Sequence, residues 1–169
     1  FVDLAVERIM AKLDLDDASQ YEKVKAIHDY IVKYIEYDDD LEKFSAYDAL
    51  SSGETVCLGY ALLTYKMMSE AGVPVKIISG ESYGEGHAWN IVGIGGYWYN
   101  LDTTWDDTAN TNKYFLKGEN KFASHERDER YLTDDFEEQF PMSLSDFSIK
   151  DDITYINKIT LSCNTTGLL

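Results

Sequence analysis

The fold of this chain is decided by residues 53–61, which read Gly-Glu-Thr-Val-Cys-Leu-Gly-Tyr-Ala. They place Cys57 at the start of a predicted helix that runs to Ala71 and is ended by Gly72 and Pro74. The apolar residues of this helix recur at helical spacing: Leu58, Ala61, Leu62, Tyr65 and Met68. A helix N-terminus lowers the pKa of a thiol through its unpaired N–H groups and partial positive charge. Position alone is equally consistent with a reactive nucleophile and with an inert, buried cysteine.

Two later segments supply an imidazole and a carboxylate. Residues 86–90 read Gly-His-Ala-Trp-Asn, and residues 98–107 read Trp-Tyr-Asn-Leu-Asp-Thr-Thr-Trp-Asp-Asp. A thiol, an imidazole and a carboxylate are the components of a cysteine nucleophile with an oriented base. The candidate catalytic residues are therefore Cys57, His87 and Asp102. The alternatives are a core histidine for His87 and a turn or capping carboxylate for Asp102.

The strand pattern favours a contact between the histidine and the aspartate. Residues 87–94 and 97–103 are predicted to form a hairpin around two glycines. With two loop residues, His87 and Asp102 are diagonal neighbours; with four, they lie directly opposite each other. Both side chains project from the same face in either case, because strand side chains alternate with a period of two. An odd-numbered loop would separate them.

Four further ionisable residues are given other roles. Asp106 and Asp107 are alternatives to Asp102 but are less well placed on the strand. His28, beside apolar positions of a predicted helix, is interpreted as a structural or surface histidine. His125 is interpreted as a surface residue, with a place in the cleft as the alternative.

The remaining pattern predicts one α+β domain over residues 1–169, in which the helix that carries Cys57 packs on an antiparallel sheet. Residues 118–135 are predicted to be rich in loops, and residues 41–56 to be irregular apart from a helical turn between 41 and 50. The other predicted elements are helices at 2–13 and 19–36, the second with a Ser19–Glu22 capping box, strands at 75–80 and 114–117, and a closing strand or frayed tail at 153–156 and 159–161.

Composition excludes some classes of function. The 169 residues carry a formal net charge of −16, which disfavours binding to nucleic acid or anionic lipid. The sequence has no apolar run long enough for membrane insertion. The two cysteines, Cys57 and Cys163, have no partners at metal-ligand spacing, so neither a metal nor a cofactor is expected. A disulfide between them is an alternative that would consume the thiol.

The three quoted segments together resemble the core motifs of the bacterial transglutaminase-like superfamily. The similarity extends back to Ser45-Ala46-Tyr47 and covers about residues 19–117. It implies a papain-like α+β core in which Cys57 is the nucleophile, His87 the base and Asp102 the orienting residue. The superfamily includes transglutaminases, peptidases, amidases and deamidases. The resemblance therefore implies acyl transfer on amide bonds of peptides or proteins through a thioester, and does not specify the acceptor.

Two residues are assigned supporting roles. The Cys57 backbone N–H is expected to be one oxyanion donor, and Tyr47 is a candidate for the second, with packing as its alternative. Trp89 shares a strand face with His87 and is a candidate for the substrate cleft. Because the chain begins at Phe1 rather than Met, we expect a fragment of a protein at a bacterial cell surface or outside the cell. The oligomeric state is left open.

Three alternatives compete with this interpretation. Arylamine N-acetyltransferase-like enzymes use the same residue types in the same order, but this sequence lacks a signature for binding a CoA thioester. Papain-family peptidases place the histidine much later than it stands here. A catalytically silent domain that retains the fold as a binding module of a cell-surface protein is the alternative of a different class.

Overall fold

The computed structural model describes residues 1–152 and 160–161. Its helices are α1 (Val2–Leu13), α2 (Gln20–Tyr34), α3 (Ala46–Ser52), α4 (Cys57–Glu70), α5 (Thr103–Thr108) and α6 (Asp134–Gln139). Its strands are β1 (Glu36–Tyr37), β2 (Glu54–Thr55), β3 (Val75–Ser82), β4 (Glu85–Ile94), β5 (Tyr97–Leu101) and β6 (His125–Arg127). Among these residues, no helix combines the length and the apolar character that crossing a bilayer would require.

An antiparallel sheet in the order β5-β4-β3-β6 forms the centre of the fold, and α4 packs against β3 and β4. A separate pair of short parallel strands, β1 and β2, precedes α4. The predicted α+β architecture, with the helix of Cys57 on an antiparallel sheet, is confirmed.

The hairpin of β4 and β5 has the shorter of the two predicted loops. Ile94 pairs with Tyr97, so that Gly95 and Gly96 alone form the turn. Both glycines have positive φ, 62° and 89°, as a two-residue turn that matches strand twist requires. This register brings Asp102, the residue that follows β5, to the same side of the sheet as His87.

The core lies between the helices and the sheet. Helix α2 begins at the predicted capping box, in which Ser19 and Glu22 bond reciprocally, and buries one apolar face. Helix α4 is buried on most sides because α1, α2, α3 and the sheet surround it. The largest fully buried residues on these helices are Ile27, Ile31, Tyr60, Leu63, Met67 and Met68. Burial of each aliphatic side chain contributes about 1.5–3 kcal/mol, which holds the start of α4 in a fixed place.

Gly59 allows a close approach beside Cys57. A Cβ atom at this position would lie 1.8 Å from Thr55 Oγ1. Strand β2 can therefore pass directly beside the first turn of α4 only because residue 59 has no side chain.

Several predicted boundaries were wrong. The strand predicted to reach Thr103 ends at Leu101, because Asp102 caps a new helix, α5. The Asp102 side chain accepts a hydrogen bond from the Trp105 N–H and so satisfies the N-terminus of this helix. Residues 114–117 are not a strand; Lys117 forms an isolated bridge with Asn100. The helical turn expected between residues 41 and 50 is present as α3, which continues to Ser52, into the residues that were expected to form a loop. The predicted closing strand lies outside the described residues except at 160–161, which are helical.

Candidate active site

Cys57 is the first residue of α4, follows Val56 at the N-cap position, and is a free thiol. The disulfide alternative is therefore not adopted; Cys163 itself lies outside the described residues. The thiol is half-buried and lines a cavity of about 270 Å³. The walls of this cavity include Tyr37, Glu85, Gly86, His87, Thr104 and Trp105.

The surroundings of Cys57 favour the thiolate. Burial raises the pKa of the thiol, but the His87 side chain and the backbone N–H groups of Ala88 and Leu58 lower it by more. The net pKa lies below the ordinary value of a cysteine. Two of these stabilising groups, His87 and Ala88, come from β4, so the packing of α4 on the sheet creates the environment.

His87 is held between the thiol and a carboxylate. Its Nε2 lies 2.7 Å from Asp102 Oδ2. A carboxylate only accepts hydrogen bonds, so Nε2 carries the proton in this tautomer and Nδ1 is left for Cys57. Burial lowers the pKa of His87, but Asp102 and Cys57 raise it by more, to about 9. The raised histidine pKa and the lowered cysteine pKa together favour a thiolate–imidazolium pair.

Asp102 occupies a fully buried junction between the sheet and α5. Its Oδ1 accepts a hydrogen bond of 3.0 Å from the Trp105 N–H, and its Oδ2 faces His87. Burial raises the pKa of this carboxyl, but the hydrogen bonds from His125 and His87 and the charge of His87 lower it below its usual range. Asp102 therefore remains ionised and serves both as helix cap and as partner of the imidazole.

His125 is a site residue that sequence reasoning missed. The interpretation of His125 as a surface residue was wrong: its side chain is buried, and its Nε2 lies 2.7 Å from Asp102 Oδ2. It reaches this position because β6 adds to β3, with His125 opposite Ser82. The signal available in the sequence was weak: a histidine three residues after Phe122 in a charged stretch. The pairing of β6 with β3 depends on contacts between distant parts of the chain.

Among the described residues, His87, Asp102 and His125 form the group that could offer metal ligands, with their donor atoms within 4.8 Å of one another. Both imidazole nitrogens point at the same carboxylate oxygen over hydrogen-bond distances. Hydrogen bonds between protein groups thus account for the geometry.

Asp106 and Asp107, the alternatives to Asp102, contact other residues. Asp106 Oδ2 is 3.0 Å from His28 Nε2 in a buried pair, which gives His28 a structural role rather than a surface one. Asp107 accepts a hydrogen bond of 2.6 Å from the Tyr60 hydroxyl. Burial raises the pKa of both aspartates. Of the three aspartates, Asp102 is the one that contacts His87.

The two residues assigned supporting roles lie away from the cavity walls. Tyr47 is 54% exposed on α3, and its ring packs against Phe1 with 5.1 Å between centroids. Trp89 is buried and stacks beside His87 at a centroid distance of 6.0 Å, while its Nε1 donates to Asn100 Oδ1. The structure thus places Tyr47 in a surface aromatic contact, and places Trp89 behind the His87 imidazole rather than in the wall of the cavity beside Cys57.

Sequence comparison identifies the family of this chain. The family model of the transglutaminase-like superfamily matches residues 7–103, a span that contains Cys57, His87 and Asp102. The chain belongs to this superfamily. His125 lies beyond the matched span.

Two mammalian proteins are similar to this member of the superfamily over most of its length. The kyphoscoliosis peptidase of Homo sapiens is 32% identical over 155 residues, 73% of this chain and 23% of the human protein. The kyphoscoliosis peptidase of Mus musculus is 32% identical over 146 residues, 73% of this chain and 22% of the mouse protein. The chain thus spans less than a quarter of the length of these relatives.

A solved structure shows the same fold. The crystal structure of a TGase superposes with a TM-score of 0.55 at 18% identity, covering 61% of this chain and 32% of that one. At this identity the likeness concerns the fold alone. It agrees with the α+β architecture in which the helix of the cysteine packs on the antiparallel sheet.

Proposed function

We propose that this chain is a thiol-dependent acyl-transfer enzyme that acts on amide bonds of peptides or proteins. One observation carries the proposal: Cys57, at a helix N-terminus, and the His87 imidazole line the same cavity. The buried carboxylate of Asp102 holds this imidazole in place. The lowered thiol pKa and the raised imidazole pKa supply the charged pair that such chemistry uses at neutral pH.

The first half of the reaction forms a thioester. The Cys57 thiolate attacks the carbonyl carbon of the amide, and the carbonyl oxygen takes up the negative charge. The His87 imidazolium then gives its Nδ1 proton to the leaving nitrogen as the C–N bond breaks. The amine departs, and the acyl group remains on Sγ.

The second half returns the enzyme to its starting state. Water or an amine attacks the thioester carbonyl while the neutral imidazole accepts a proton from it. The C–S bond breaks, Cys57 leaves as thiolate, and His87 is again an imidazolium. With water the product is a carboxylic acid, as in a peptidase or deamidase; with an amine it is a new amide, as in a transglutaminase.

Oxyanion stabilisation is assigned to backbone donors at the start of α4. The Cys57 N–H belongs to the first turn of the helix, where N–H groups have no partner within the helix. Preorganised donors of this kind are worth about 10²–10³ in rate. The exposed position of Tyr47 gives no support to its role as the second donor, whereas the Ala88 N–H already faces the sulfur.

The substrate class is supported by the names of the relatives, which are peptidases, and by the open cavity beside the thiol. The choice between water and amine as acceptor is part of what the experiment decides. An extracellular or cell-surface location remains a prediction of the sequence.

The test combines two measurements on a Cys163→Ser protein, in which Cys57 is the single thiol. A peptide library is incubated with and without an amine donor, and mass spectrometry distinguishes cleavage, deamidation and cross-linking. In parallel, iodoacetamide labels Cys57 across a range of pH. We expect one of the three products, its loss in Cys57→Ala, and alkylation well below pH 8. Absence of all three products together with an unreactive thiol would favour the binding-module alternative.

A further inference from the structure

Two histidines donate hydrogen bonds to one carboxylate oxygen. His87 Nε2 and His125 Nε2 both lie 2.7 Å from Asp102 Oδ2, and they arrive from different strands, β4 and β6. The usual arrangement of a nucleophile, base and orienting acid requires only the first of these contacts. The second contact therefore needs a physical explanation.

Aromatic contacts and hydrogen bonds fix the side chain of His125. Its ring stacks on Phe122 with 3.9 Å between centroids and meets Trp89 edge-on at 4.9 Å. Its Nδ1 lies 2.9 Å from Ser124 Oγ, and its Nε2 faces Asp102. A side chain held by two aromatic rings and two hydrogen bonds presents its donor in one direction only.

The hydrogen bonds define the protonation state of this ring. Nε2 must donate, because its partner is an ionised carboxylate, while Nδ1 can accept from the Ser124 hydroxyl. Both nitrogens are thus satisfied in the neutral tautomer. Burial lowers the pKa of His125 and the charge of His87 lowers it further, although Asp102 acts in the opposite direction. His125 therefore stays a neutral donor while His87 is charged.

From these contacts we infer that His125 is a positioning residue for the acyl-transfer site. Its N–H holds Asp102 Oδ2 in place and limits how strongly that carboxylate stabilises the protonated form of His87. The catalytic part of this statement rests on the proposed function. The part that concerns proton affinity rests on the three residues themselves.

The direction of the effect follows from electrostatics. A carboxylate that accepts a hydrogen bond from His125 has less negative charge to offer His87. Removing that donor leaves Asp102 a stronger partner for the imidazolium, so the pKa of His87 rises. A base that holds its proton more tightly is a weaker acid toward the leaving amine, and turnover slows.

Other ionisable groups face the same centre. The cavity wall around His87 also carries Cys57 from α4, Glu85 from β4 and Tyr37 from β1. Tyr114 and Asp106 act on the side of Asp102. A substitution at residue 125 leaves these groups in place, so a change in the pKa of His87 reports on the contact between His125 and Asp102.

The decisive pair of variants is His125→Phe and His125→Gln. Phenylalanine keeps the aromatic packing on Phe122 and Trp89 but has no donor. Glutamine loses the ring but can place an amide N–H near the position of Nε2. The measurement is an NMR pH titration of the imidazole signals, which are few because the sequence has three histidines. His28→Gln is the matched control, since it removes a buried histidine that bonds to a different aspartate.

We expect the His87 pKa to rise from about 9 by roughly half a unit to one unit in H125F. In H125Q and H28Q we expect it to stay near the wild-type value. A merely structural role would lower the thermal midpoint of both variants at residue 125 without moving the His87 titration, and that result would overturn the inference. An unchanged His87 pKa in H125F, or an equal shift in H125F and H125Q, would also overturn it.

The titration does not depend on turnover. If the H125F shift is found but neither the peptide library nor the alkylation assay shows a reactive Cys57, the proposed function fails while the control of His87 by His125 stands. If turnover is found, H125F is expected to lower kcat with little change in KM, because residue 125 does not line the cavity of Cys57.

Discussion

Asp102 Oδ2 accepts a hydrogen bond from His87 Nε2 over 2.7 Å, and Asp102 Oδ1 caps helix α5 through the Trp105 N–H. One buried carboxylate thus joins the base of the site to the secondary structure that follows β5. The cap fixes Oδ1 through the backbone, and His125 contacts Oδ2, so the carboxylate that orients the imidazole is held at both oxygens. Asp102 thus has two roles, as the partner of His87 and as the N-cap of α5.

Asparagine and alanine at position 102 should separate these two roles. Asparagine is a good N-cap, so Asp102→Asn should keep α5 but lose the charge that favours the correct tautomer and the imidazolium. We expect a loss of about 10²–10⁴ in kcat. The pKa of His87 should fall from about 9 toward its ordinary value.

Asp102→Ala should give the same kinetic defect and in addition lose about 1 kcal/mol of stability with the cap. Kinetics, imidazole NMR and urea unfolding measure the three effects. Full activity in the asparagine variant would contradict an orienting role for Asp102.

The reactivity of Cys57 should depend on His87. In the Cys163→Ser protein, the rate of alkylation by iodoacetamide should already be high well below pH 8, because the imidazole and the backbone N–H groups lower the thiol pKa. In His87→Ala, which lacks the main stabilising side chain, the midpoint should move up toward about 8.5, the value of an ordinary cysteine. Identical profiles for the two proteins would remove the basis for a thiolate–imidazolium pair.

The pH dependence of stability should reveal the same pair. A raised His87 pKa contributes stability below the unfolded value near 6.5 and loses it as pH rises through about 9. A lowered Cys57 pKa contributes stability above the unfolded value near 8.5 and loses it as pH falls. Between about pH 6.5 and 8.5 the folded and unfolded states bind equal numbers of protons at these two groups, so the pH dependences of their two contributions cancel.

Removing the thiol should expose the histidine term. In Cys57→Ala the free energy of unfolding should fall by about 1 kcal/mol or more as pH rises from about 6.5 to 8.5, whereas the wild type changes little. Urea unfolding at several pH values measures this difference. The double variant Cys57→Ala, His87→Phe is the control and should again show no slope from this site. A wild-type slope equal to that of Cys57→Ala would show that the two groups do not titrate as a pair.

Gly59 should tolerate no side chain. In Gly59→Ala the new Cβ would meet Thr55 Oγ1 at 1.8 Å, so β2 and the first turn of α4 must separate. Overpacking of this kind costs about 1–3 kcal/mol. Gly86→Ala is the matched control, since its Cβ would have no heavy atom within 4 Å. Urea unfolding should show a clear loss for the first variant and little for the second; equal stabilities would contradict the close approach.

Glu85 should bias the choice of substrate. Glu85 is exposed in the wall of the Cys57 cavity, beside the aromatic rings of Tyr37 and Trp105, and this combination favours a cationic side chain in the substrate. Glu85→Lys should lower the relative rate on peptides with a lysine or arginine next to the reacting amide. The expected effect is a few-fold, since an exposed charge pair is worth about 1 kcal/mol.

The control for this charge change is Glu81→Lys. Glu81 lies on β3, is also exposed, and lines a different cavity. Its replacement should leave the ratio of rates on basic and neutral peptides unchanged. Equal changes in both variants would mean that net charge, and not the cavity of Cys57, governs the preference.

Local sequence patterns predicted the parts of the fold whose cause is local. The sequence predicted the helices α1, α2 and α4, the capping box of α2 and the two-glycine turn. Each of these features depends on residues only a few positions apart. The candidate residues Cys57, His87 and Asp102 were also chosen from the sequence. The reason is that helix-terminus chemistry and strand alternation constrain where such side chains point.

The tertiary structure alone decided what depends on distant segments. Whether β5 continued or stopped at Leu101 was decided by the buried environment that lets Asp102 cap α5. That His125 is buried against Asp102 follows from the addition of β6 to β3, a pairing between segments more than forty residues apart that no local periodicity encodes. The sequence by itself thus determined which groups could react, and long-range packing determined how tightly the acid that orients them is held.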